Sequence, residues 1–177
     1  MPTTRPSLRQ NLTWGSKLAN GISATKLAQL TPVEWPESET AERPYGKLSR
    51  DNGGRVLGGS IFNTEVDLTH PLLYGFSREE LPVFQRGNLF YQPTTNPYAT
   101  PIRFTEPPLL SGYVHPSSLE ALSGSAALIV SGQGRGRTIS MMQEPAFRAF
   151  WFGTSKLLAN AVFFGTTISS GAREMVK

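Results

Sequence analysis

Residues 125–142, SAALIVSGQGRGRTISMM, carry the clearest structural signal in the chain. SAALIVSG is an unbroken apolar run of strand length. TISMM reads as a second strand. The intervening GQGRGR is a turn whose glycines permit a tight β connection. Its composition also suits a phosphate-cradling loop, but such loops open helices, and this one lies between strands. Arg135 and Arg137 are placed either to meet an anion or to solvate the turn.

Downstream of this pair, EPAFRAFW (144–151) reads as an irregular, aromatic-rich loop, and TSKLLANAVFFG (154–165) as a helix. Leu157, Leu158, Ala161, Val162 and Phe164 give that helix a broad apolar face. Thr154 or Ser155 is its expected N-cap, Gly165 its C-cap, and residues 167–177 form a polar tail. Phe147, Arg148, Phe150, Trp151 and Phe152 cluster outside any regular element. They read equally as a plug over a sheet edge and as a partner surface, because aromatics and arginine concentrate at interface hot spots. Arg148, Phe150 and Trp151 are the binding candidates.

Upstream, the alternation in SIFNTEV predicts a strand over 60–66. In THPLLYGF, Pro71 turns His70 away from helical dihedrals and Gly75 admits a positive φ, so a turn follows with Leu72, Leu73 and Phe76 as apolar anchors. SREEL (77–81) reads as a helical turn capped by Ser77. VFQRGNLFYQ and PIRFTE read as strands, and PSSLEAL as a short helix. Nearer the start, NLTW (11–14) predicts a short strand and residues 17–30 a helix, with Ser16 as cap. Residues 31–50, rich in proline and glutamate, form a surface excursion, and 50–54 a turn.

At 177 residues the chain is of single-domain size, and one domain over 1–177 is expected. Its formal net charge is +4, with the basic residues scattered and no aromatic RNA-binding signature, which argues against nucleic acid as a partner. There is no cysteine, so disulfides, thiol catalysis and thiolate metal sites are excluded. No apolar run is long enough for a membrane span.

Both histidines precede proline (His70–Pro71, His115–Pro116), and no HxxH, HxxE or HExxH pattern occurs, so no metal site is assigned. A serine hydrolase would use Ser16 at a strand-to-helix elbow, with His70 as base and Asp67 or Glu65 as orienter. WGSK lacks the second glycine of such an elbow, and serine is a common cap. The turn reading of His70 has its imidazole bonding nearby backbone, with Asp67 and Thr69 capping locally. Ser16 and His70 therefore stand only as weak catalytic candidates.

Two segments together, GGSIFNTEVDLTHPLLYGF (58–76) and residues 111–165 from SGYVHPSSLEAL to NAVFFG, resemble the C-terminal region of bacterial zinc carboxypeptidases of the carboxypeptidase A type. There a peptidase is followed by a domain similar to class I glutamine amidotransferases. The resemblance covers about residues 10–166 and is best from 55 onward. It implies an α/β fold, a flavodoxin-like three-layer sandwich, truncated on its N-terminal side. It also implies a nucleophile elbow near Trp14, Gly15 and Ser16. The cysteine nucleophile and the peptidase's zinc ligands are absent from the sequence, so no catalytic residue carries over. Any zinc would belong to a peptidase domain outside this chain, and this chain would need no cofactor of its own. The expectation is a non-catalytic accessory domain in a polypeptide devoted to proteolysis. Its partners would be that peptidase domain or a homo-oligomer, with a peptide as the ligand, and export to the periplasm or beyond. An oligomerisation module is the third reading.

Overall fold

The computed structural model describes residues 30–33, 44–54, 56–87, 90–133, 136–149 and 151–175. Within them the chain forms α1 (Leu48–Gly53), β1 (Leu57–Val66), β2 (Glu80–Gly87), β3 (Ile102–Ser111), α2 (Pro116–Leu122), β4 (Ala126–Gln133), β5 (Gly136–Met141), α3 (Phe152–Phe164) and β6 (Glu174–Met175). The strands make one curled sheet, a half-barrel in the order β2-β1-β3-β4-β5, with β6 pairing on β4. Every pairing along that path is antiparallel. The single parallel contact among the described residues is the two-residue β6, Ser131 facing Glu174 and Gly132 facing Met175.

This architecture overturns the flavodoxin-like, three-layer α/β sandwich. Such a sandwich needs parallel strands joined by crossover helices. Here the connection from β1 to β2 holds only the 3-10 turn Pro71–Leu73, and α1 and α2 have six and seven residues. The decisive stretch folds as an antiparallel hairpin, in register from Leu128 opposite Met141 to Gln133 opposite Gly136. The strand and helix expected over 11–29, Ser16 included, lie outside the described residues.

β4 is apolar from Ala126 to Val130 because it is buried there on both faces: these five residues are wholly inaccessible. The concave core gathers Phe62 and Val66 of β1, Leu81 and Val83 of β2, and Ile102 and Phe104 of β3 around it. Phe62 meets Phe104 edge-on at 5.9 Å, a favoured aromatic geometry. Buried Thr64 satisfies its hydroxyl by donating to the Leu81 carbonyl at 2.7 Å. Register shifts in the β1–β2 and β1–β3 pairs mark the bulges that bend the sheet. Gly59 sits in one of them at φ +128°, where a Cβ would stand 2.8 Å from the Phe84 ring, so only glycine fits.

The two sides of the half-barrel end differently. Beyond β5 the chain crosses back to β2, where the Glu144 amide donates to the Phe84 carbonyl at 3.0 Å. Phe147 stacks on Phe84 at 3.9 Å, and Arg86 pairs with Glu144. α3 then lies over the opening and sends Leu157 into the core. SREEL differs from its reading as a helical turn. Glu80 and Leu81 already belong to β2, opposite Glu65 and Thr64, because pairing along β1 outweighs the local cap signal.

The helix orientation yields a stability test. Leu157→Ala should cost about 2–5 kcal/mol in urea unfolding. Val162→Ala, five residues further on and exposed, should stay within about 0.5 kcal/mol.

Candidate interaction surface

α3 buries two of its polar residues, Thr154 and Asn160, and turns much of its apolar surface out. Thr154, Leu157 and Asn160 are buried, while Phe152, Val162 and Phe163 are 83%, 72% and 76% exposed. Polar bonds to the carbonyls of the turn after β1 fix this orientation. Asn160 Nδ2 donates to Leu72 O at 2.9 Å and to Tyr74 O at 3.0 Å, and Lys156 Nζ donates to Gly75 O while lying 5.0 Å over the Phe76 ring. At the other end, the Thr154 hydroxyl donates to Pro145 O at 2.8 Å. The helix thus starts at Phe152, ahead of the expected Thr154 or Ser155 cap, with Trp151 at the N-cap. Of the face read as buried, Leu157 is inside, but Leu158 and Val162 are exposed.

The outward face continues onto Tyr74, 69% exposed and tilted against Phe164 at 5.1 Å. The segment that carries this face is one-sided in charge: no Asp or Glu occurs between Glu144 and Glu174, a span that contains Arg148, Lys156 and Arg173. Beside it, a groove runs between α3 and β5, lined by Gly136, Arg137, Ile139, Ala161, Val162 and Gly165. Arg137 Nη1 donates across its end to the carbonyls of Gly165 and Ile168.

Among the binding candidates, Arg148 is exposed, with φ 50°, and its guanidinium lies 5.3 Å from the centre of the Phe147 ring. Ala149 shares the left-handed backbone at φ 55°. Two such residues in succession reverse the chain between the β2-edge contact and α3. Trp151 is half-buried at the helix start. Phe150 lies outside the described residues.

His70 holds a turn. It is 6% exposed, and its Nδ1 accepts from the Leu72 amide at 3.2 Å, capping the 3-10 turn Pro71–Leu73. Asp67 Oδ1 takes the Thr69 amide and hydroxyl at 2.9 and 2.6 Å. Burial lowers the His70 pKa from its ordinary 6.5, with the Asp67 charge opposing the shift. Nε2 is buried without a hydrogen-bond partner among the described residues. His115 repeats the device at the start of α2, where its Nδ1 faces the Ser117 hydroxyl at 2.8 Å and the Ser117 amide at 3.4 Å. Each histidine therefore commits Nδ1 to a cap. Ser16 lies outside the described residues, so its hydrolase pairing with His70 has no geometry here. Among the described residues, no three His, Cys, Asp or Glu side chains group as a metal ion would require, and no helix is long and apolar enough to cross a membrane.

Compared with family models, curated proteins and solved structures, the chain matches none.

The His70 cap makes stability depend on pH. The unfolded histidine binds a proton below about 6.5 more readily than the buried one does. This contribution is thus complete above that pH and lost as pH falls from there toward the lower folded value. His70→Asn keeps a capping acceptor and removes the titration. Thermal unfolding should show wild type losing more stability than His70→Asn between pH 7.5 and 5, conditions on the order of one unit either side of the free pKa.

Proposed function

We propose that this chain is a non-catalytic interaction module that self-associates through the outward face of α3. The supporting observation is the inversion of that helix, which holds Thr154 and Asn160 inside and presents Phe152, Val162 and Phe163 to solvent. Contiguous exposed apolar surface of this kind marks interaction sites. The three exposed aromatics, Phe152, Phe163 and Tyr74, with Leu158 and Val162, would bury on the order of 600 Å² per copy. That approaches the roughly 800 Å² per partner of a standard interface and corresponds to a weak, reversible dimer. A two-fold pairing of α3 with its own copy meets no charge conflict at its centre, because Lys156 is drawn aside onto Gly75 and Phe76.

The caps support the non-catalytic part of the reading. A general base needs a ring nitrogen within reach of a substrate proton, and His70 is buried with Nδ1 already bonded. The resemblance to zinc carboxypeptidase C-terminal regions rests on the residues of 58–76 and 111–165 alone, and the sandwich it implied is not this chain's fold, so the reading names no peptidase.

Sedimentation velocity across about 1–100 μM should show a monomer–dimer equilibrium near micromolar affinity. Phe163→Glu or Phe152→Glu should shift it to monomer while leaving the urea midpoint unchanged, since both side chains are exposed. A monomer throughout the range would refute self-association.

A further inference from the structure

We infer that the outer edge of β5 receives an extended, acidic peptide as an added strand, seated in the groove between β5 and α3. This goes beyond the α3 face, with which it shares Val162, and the Phe163→Glu variant lets the two fail independently. The two edges of the sheet differ in the way that motivates the inference. The β2 edge is covered by the chain itself, through Glu144, Phe147 and their contacts with Phe84 and Arg86. Among the described residues, β5 has ladder partners on the β4 side only. In an antiparallel pair, alternate residues aim their N–H and C=O groups away from the partner strand. Among the described residues, the one further hydrogen bond to β5 backbone is from Arg173 Nη1 to Gly136 O, at 2.9 Å.

An edge left open in this way is normally blunted by lysine, proline or a covering segment. GRTISM has neither lysine nor proline. From Arg137 to Met141 it is half-buried, recessed beside the helix. The main-chain complement of such an edge is another strand, and a helix flanking it supplies the pocket that reads alternate side chains. Ile139, Ala161 and Val162 make that pocket apolar.

The charge of the occupant follows from the hairpin end of the groove. Arg137 lines it, and Arg173, lying over Gly132 of β4, bonds to Gly136 without lining the groove itself. Arg173 is only 8% exposed, its Nε has no partner among the described residues, and no described carboxylate pairs with it. A buried guanidinium short of partners is costly, and a carboxylate brought to this end would meet Arg137 directly with the Arg173 charge lying behind it. The segment that supplies α3 and the Gly165 end of the groove has no acidic residue between Glu144 and Glu174.

The test uses the full chain and a fluorescein-labelled peptide of about six residues, the usual strand length, alternating Val and Thr with Glu at one end. Fluorescence anisotropy should show saturable binding. Affinity should fall about tenfold or more when Lys replaces the peptide Glu, when alternate peptide nitrogens are methylated, and in Val162→Asp and Arg137→Glu. Val162→Asp guards against the chance that Arg137→Glu loosens the fold, because Val162 is exposed. Phe163→Glu should leave peptide affinity unchanged whether or not it dissociates a dimer. Amides of β5 should gain protection from hydrogen exchange on binding. Absence of saturable binding, as would follow if the chain's own residues already fill the groove, overturns the proposal. So does binding indifferent to N-methylation, or equal binding of the Lys and Glu peptides.

Discussion

Burial of β4 on both faces is the constraint around which the rest is arranged. One strand pairs with β3 along its first half, with β6 near its end, and with β5 along most of the other side. Backbone groups in such a strand must be bonded within the protein, and its side chains must be apolar on both faces. The run AALIV meets both demands. The curl of the sheet then brings β1 and β2 around the same core, and α3 is left to cover the opening.

Much of this frame was legible in the residues. The strands over 60–66, the hairpin and PSSLEAL stand close to where alternation, glycine spacing and capping put them. The hairpin pairs its two strands antiparallel, and the rest of the sheet path follows the same sense. The sandwich expectation came from the resemblance, and it required crossover helices that the spacing between strands does not provide. SREEL misled because a cap signal is worth about 1 kcal/mol and yields easily to pairing along a neighbouring strand.

The surface of α3 was less legible for a physical reason. KLLANAVFF is apolar nearly all round, so periodicity alone could not choose the inward side. The choice was made by Asn160 and Lys156, which find the carbonyls exposed by the Pro71–Leu73 turn. Those acceptors belong to a segment over 80 residues away in sequence, and no local pattern announces them. The His-Pro pairs were legible as turns, yet their common role appears only in three dimensions. Asn96–Pro97 shows the same arrangement, with Oδ1 accepting from the Tyr98 amide at 3.1 Å. In all three, a side-chain acceptor satisfies an early amide while proline removes one that would need a partner.

The fastening of the last strand bears on how quickly the native state can be reached. Glu174 holds the Asn96 amide and the Thr95 hydroxyl, each at 2.9 Å, and Asn96 Nδ2 returns bonds to Gly171 and Arg173. These contacts join positions more than 70 apart in the chain. Closing so large a loop costs entropy before it returns any bond. With β1 between β2 and β3 as well, distant contacts dominate the topology, which places folding in the slow regime of milliseconds to seconds typical of all-β chains. The β4–β5 hairpin, being local, is the natural early structure, and the clasp at Glu174 belongs among the last steps.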